Sequence, residues 1–240
     1  MRRTGLCVLA VACVVPSLVS AQGPKAATYI TDEEVKKVNS TPGVDRQIRV
    51  VDIGNENFAV GVVHRVAAAP RGTGAGAGGG AATGGGAGAG RGAGGGAAAG
   101  GGAGRGAAAG GAGQSAGPCG EQMATPPADG TPGGISHDQQ TEGYLIISGG
   151  GTLVTGGKIV NGNKSGPDSA VTKELNGPSC SGMIAGSDVV KKVVKTGDIV
   201  IIPAGVPHGW TGITDHVDYL SFRPSARVLT AGYVHPSIKQ

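Results

Sequence analysis

Short apolar or alternating runs, rich in Val and Ile and cut by Gly, Pro, Asn and Asp, recur along most of this chain. They predict strands at 47–53, 57–66, 143–148, 152–154, 189–194, 198–202, 208–213 and 217–222. A single helical signal precedes them, TDEEVKKVNS, in which Thr31 and Glu34 form a capping box and Lys36 and Lys37 lie near the C-terminal end. No long 3.6-residue pattern alternates with the strands. A parallel α/β fold is therefore unfavoured, and the spacing predicts an all-β sandwich or barrel with a short N-terminal helix. The stretch 158–188, rich in Gly, Asn, Ser and Lys, reads as an extended excursion between the two halves of that domain. GTLVTGGK at 151–158 lacks the first glycine and the Ser/Thr of a phosphate loop, and reads as a hairpin strand with a glycine turn.

Composition changes the picture at two places. From Gly72 to Gly113 every residue is Gly or Ala except Thr73, Thr83, Arg91 and Arg105. Such a tract has too little apolar side chain to offset its ordering entropy, so a flexible insertion at 72–113 is expected within one domain spanning 45–225. At the N-terminus, Arg2 and Arg3 precede an apolar run from Leu6 to Val15 and a small-residue site ending at Ala21. That is the pattern of an export signal over 1–21, which implies a secreted or periplasmic protein with no stable membrane span after cleavage. Residues 22–44 then form an N-terminal segment carrying the helix, and 226–240 a C-terminal tail.

The full chain carries 20 basic and 16 acidic residues, a formal charge of +4. Removing 1–21 takes away two arginines, and the remaining arginines near the Gly/Ala tract make no basic face, so no nucleic-acid partner is expected. The mature chain keeps two cysteines, Cys119 and Cys180, both in Gly/Pro/Ser-rich loop sequence. An exported chain can join them in one disulfide, and free thiols are the alternative.

Two segments carry the chemistry. GDIVIIPAGVPHGWTG, from Gly197 to Gly212, places a turn at Gly197 and Asp198, a short strand, a break at Pro203 and Gly205, and then His208 opening the next strand. Its G-x5-P-x-G-x2-H spacing resembles the second signature of the cupin superfamily from Gly197 to His208, with Gly212 where that family usually has Asn. HDQQTEGYLIISGG, from His137, resembles the first signature, G-x5-H-x-H-x3,4-E-x6-G. The second His, the Glu and the final Gly fall on His137, Glu142 and Gly149, whereas the first His falls on Ile135.

The resemblance implies a double-stranded β-helix, or jelly roll, with a site inside the barrel. His137, Glu142 and His208 then make a two-His-one-carboxylate set for one divalent transition metal, Fe, Mn, Zn or Ni, with positions open to water or a small-molecule ligand. Gln139, two residues beyond His137, is a candidate fourth ligand if the strand continues. Tyr144 and Trp210 share strand parity with Glu142 and His208, and His64 ends the strand before the insertion, so these three are pocket candidates. The implied function is metal-dependent oxygenase or lyase chemistry on a small oxygenated substrate. A non-catalytic module holding a carbohydrate or other small molecule is the alternative, and a homodimer is compatible with the family.

Overall fold

The computed structural model describes residues 26–67, 115–225 and 228–239. The expected export signal and the Gly/Ala tract lie outside the described residues. Eleven strands occur among the described residues: β1 (Asp45–Asp52), β2 (Asn57–Val66), β3 (Pro118–Cys119), β4 (Thr131–His137), β5 (Glu142–Thr155), β6 (Lys158–Lys164), β7 (Ser179–Ala185), β8 (Val190–Lys195), β9 (Ile199–Ile202), β10 (His208–Thr211) and β11 (His216–Ser225). All pair antiparallel. One layer runs β1-β2-β11-β5-β9 and the other β3-β6-β7-β4-β10-β5-β8.

The long strand β5 belongs to both layers. Its first half is flanked by β9 and β11, its second half by β8 and β10. Between the layers, Val63, Tyr144, Ile146, Leu153, Val217 and Tyr219 form the central apolar cluster. The result is the all-β jelly roll that the motif resemblance implies.

On the outer face of the first layer lies α1 (Asp32–Asn39), whose capping box at Thr31 and Glu34 is formed. Burial, rather than helix propensity, is what holds eight residues in a helix: Val38 is fully buried against Ile48, Val62 and Ile238. Glu34 also reaches Arg49 of β1 at 2.5 Å.

The sequence pattern misses β4, β6 and β7, besides the two-residue β3, and splits β5; for the longer strands the reason is common. Residues 158–188 are not an excursion, because they contain β6 and β7, which join β4 in the second layer. These strands approach each other where side chains would collide. A Cβ on Gly182 would lie 2.8 Å from the Gly162 backbone, and one on Gly134 of β4 would lie 2.2 Å from the Ile184 side chain. Close packing selects glycine and so erases the alternating apolar signal that marks a strand. In β5, Gly149 to Gly151 interrupt the pattern without ending the strand. Gly149 has φ +65°, and a Cβ there would meet the His216 carbonyl at 2.0 Å. The hairpin reading of 151–158 also needs correction: Gly156 and Gly157 do form a turn, but β6 pairs with β7 and β3 instead of returning along β5.

Cys119 and Cys180 are joined in a disulfide, with Cα atoms 6.0 Å apart and a sequence separation of 61. The bond ties β3 to β7 across β6. Closing a loop of that length restricts the unfolded chain, so the Cys119→Ser/Cys180→Ser variant is expected to lose about 2–4 kcal/mol of stability in denaturant titration under non-reducing conditions.

Candidate metal centre

Each candidate ligand occupies a strand end: His137 closes β4, Glu142 opens β5 and His208 opens β10. The sequence brings these ends together through two turns. Residues 138–141 connect β4 to β5, while the Pro203–Val206 turn folds back so that Gly205 N–H donates to the His137 carbonyl at 2.7 Å. The second motif is thereby fastened to the first. All three side chains are buried, at 2%, 1% and 4% exposure.

His137 Nε2 lies 3.4 Å and His208 Nε2 3.1 Å from Glu142 Oε2. The three potential ligand atoms fall within 4.8 Å of one another. A point equidistant from atoms so placed is at most about 2.8 Å from each, against ~2.0–2.2 Å for a metal bond, so small side-chain shifts bring all three onto one ion.

Hydrogen bonding fixes which imidazole nitrogen faces inward. The Val206 carbonyl can only accept, so His208 Nδ1 donates to it at 3.0 Å. Ser179 Oγ gives its proton to the Gly177 carbonyl at 2.9 Å and therefore accepts from His137 Nδ1 at 2.8 Å. Burial, the largest influence, keeps His137 below its usual pKa despite the nearby Glu142 carboxylate, which favours the neutral ring. With Nδ1 protonated on both rings, their Nε2 lone pairs converge on a carboxylate oxygen. Lone pairs so arranged repel unless a cation lies among them, and the donor set suits a divalent transition metal.

The carboxylate is held from its other side. Arg223 Nε donates to Glu142 Oε1 at 2.7 Å and Ser221 Oγ at 3.3 Å, while Tyr144 O–H donates to Oε2 at 2.5 Å. Burial raises the Glu142 pKa, but the Arg223 charge and the two histidines overcome it and hold it well below the usual carboxylate value. Burial and the Glu142 charge raise the Tyr144 phenol, so it remains a donor. Arg223 also reaches Asp45 Oδ2 at 2.5 Å, Gln47 Oε1 at 3.1 Å and the Leu175 carbonyl at 3.3 Å.

The structure therefore gathers His137, Glu142, His208 and Tyr144, but not every candidate. β4 stops at His137, so Gln139 is exposed and does not continue the strand face that would make it a fourth ligand. Gln140 is the buried member of that turn, and neither of its amide atoms has a partner. His64 does not face the barrel interior. Its neighbour Val63 does, and by alternation His64 points outward, where Nδ1 meets Asp218 Oδ1 at 2.5 Å and the ring lies 6.1 Å from that of His216. Trp210 packs on the central cluster, its ring 5.5 Å from that of Tyr219. Ile135, in the place of the missing histidine, pairs directly across from His208.

Sequence reasoning passed over Arg223, Ser221, Asp45 and Ser179. Arg223, Ser221 and Tyr219 share one strand face, which was the available signal, but a lone Arg near the end of a strand ordinarily reads as solvated.

Removing Arg223 leaves Glu142 and Asp45 buried without their counter-charge. Arg223→Met is expected to cost about 3–5 kcal/mol in denaturant titration with chelator present. For the pH dependence, the folded Glu142 pKa lies below the ordinary 4.5, so its stabilising contribution is complete above about pH 4.5 and is lost as pH falls through the folded value. Acid unfolding of Glu142→Gln, followed by circular dichroism, is expected to lack that component.

No family model and no curated protein matches the chain. Among solved structures it is similar to an oxalate oxidase in complex with the substrate analogue glycolate, at 12% identity and a TM-score of 0.30, covering 78% of this chain. It spans about half of that protein, 54% of its length. A recombinant oxalate oxidase with glycolate matches at 14% identity and a TM-score of 0.34, covering 94% of this chain and 77% of the other. Peruvianin-I, described as a cysteine peptidase from Thevetia peruviana latex, matches at 12% and 0.27, covering 93% and 85%. Likenesses this distant carry no argument about activity, and the assignment of an all-β jelly roll with a buried His-Glu-His group rests on the strand pairing and the site geometry.

Proposed function

We propose that this is an exported protein that binds one divalent transition-metal ion through His137 Nε2, Glu142 Oε2 and His208 Nε2, and presents that ion to a small oxygenated ligand. The observation that carries the reading is the convergence of two oriented imidazole lone pairs on a buried carboxylate. When bound, such an ion supplies Lewis-acid polarisation of a ligand oxygen. The chain's own residues supply the rest. Ser179 and the Val206 carbonyl hold the imidazoles, Arg223 and Ser221 keep Glu142 Oε1 occupied so that Oε2 is the donor, and Tyr144 holds a proton beside the ligands.

With three protein ligands and an apolar Ile135 opposite His208, the ion keeps open positions for water or substrate. The same isoleucine favours a second reading, a module that binds a small molecule without turning it over. A thermal-shift screen separates them, since stabilisation by carbohydrates that chelator does not alter supports binding alone.

Elemental analysis of protein purified without chelator tests the ion site. Wild type is expected to carry about one equivalent of a transition metal and His137→Ala/His208→Ala none; equal, negligible contents in both would sink the reading. Ser179→Ala, which removes the acceptor that orients His137 together with the Ser179 bond to the Gly177 carbonyl, is expected to weaken metal affinity roughly 10–100-fold in competition with a chelating indicator.

A further inference from the structure

The inward face of β2 carries a cation that the ion site does not use. Gly61, Val63 and Arg65 alternate with outward-facing positions, and Val63 lies in the central cluster. Arg65 is only partly buried, yet its side chain turns inward, because Nε donates to Tyr219 O–H at 3.3 Å and Tyr219 is 2% exposed. That is its one hydrogen bond among the described residues, and none of their carboxylates forms an ion pair with it. Arg223, the other arginine reaching the interior, is already matched by Glu142 and Asp45.

A second orphan lies on the same aromatic stack. The Tyr219 ring is 4.3 Å from that of Tyr144 on one side and 5.5 Å from that of Trp210 on the other. Trp210 Nε1 is buried and has no hydrogen-bond partner, a state that costs free energy unless something accepts from it. Arg65 and Trp210 are both partly exposed residues, although the indole N–H itself is buried, and each touches Tyr219, whose other ring neighbour, Tyr144, donates to Glu142.

We infer that Arg65 and the Trp210 indole N–H form the recognition position for a small organic carboxylate on the solvent side of the ion site. A guanidinium fork with free N–H groups matches a planar carboxylate. One unmatched cation suits a monoanion better than a phosphate dianion, and the aromatic ring of Tyr219 that Arg65 and Trp210 share suits a short aliphatic body. The inference deepens the proposed function by giving its ligand a chemical class, and it rests on that reading only for what the bound carboxylate would then meet.

Trp210 is the chain's single tryptophan, so its fluorescence reports directly on this position. Full-length protein is titrated with acetate and propionate, with acetamide as the neutral isostere and inorganic phosphate as the competing anion, at constant chloride. A saturable change with both carboxylates and none with acetamide is expected. Arg65→Gln is expected to weaken it roughly 10–100-fold, the effect of losing a charge-assisted pair. Arg65→Lys, which keeps the charge and loses the fork, is expected to weaken it less, and it decides the matter if Arg65→Gln loses its circular dichroism signature. No saturable response in wild type, equal affinity in the folded arginine variants, or a response to phosphate matching that to acetate overturns the inference. Metal content is measured on each sample. A silent titration in metal-loaded protein defeats the carboxylate position alone, whereas a carboxylate response in wild type that takes up no metal defeats the ion site alone.

Discussion

The buried guanidinium of Arg223 is the tie on which the interior depends. It joins Glu142 at the start of β5, Asp45 and Gln47 at the start of β1, and the backbone at Leu175. Two carboxylates and a full positive charge taken out of water would be costly if any member were missing, and here each is matched by another. The pair does more than hold strands together. By occupying Oε1 it gives Glu142 a fixed orientation and an ionised state, and both are needed before the second oxygen can act as a donor.

Around that tie the site is assembled from backbone geometry. Strand ends bring the three ligands together, the Gly205 N–H to His137 bond sets one motif against the other, and acceptors on the outer side of each imidazole decide which nitrogen is left with a lone pair. None of these acceptors is itself a ligand. In neutral rings they leave Nε2 as the nitrogen with the inward lone pair, so that the group could offer three electron-pair donors to a cation.

How much of this was legible in the sequence follows from what each residue does. Val, Ile and Tyr strands with one buried face announce themselves, and β2 was read to its observed ends at Asn57 and Val66. Strands β4, β6 and β7 were missed because their glycines answer to close neighbours in three dimensions, such as Gly134 beneath Ile184. The ligand trio was legible because its spacing is tied to turn geometry at Gly149, Gly197 and Gly205. Arg223 was not, since its partners lie 81 and 178 positions away and no local pattern distinguishes a buried arginine from a solvated one. Gln139 and Gln140 differ only in where β4 stops, a boundary that strand periodicity does not fix.

The position of β5 in both layers has a further consequence. From Gly143 to Leu145 and from Thr152 to Thr155 it has a hydrogen-bonded neighbour on each side, so these amides are expected to exchange slowly, and Glu142 lies immediately before the first of these stretches. The carboxylate is thereby set by two independent supports, the sheet that begins at its own residue and the Arg223 guanidinium that holds its outer oxygen.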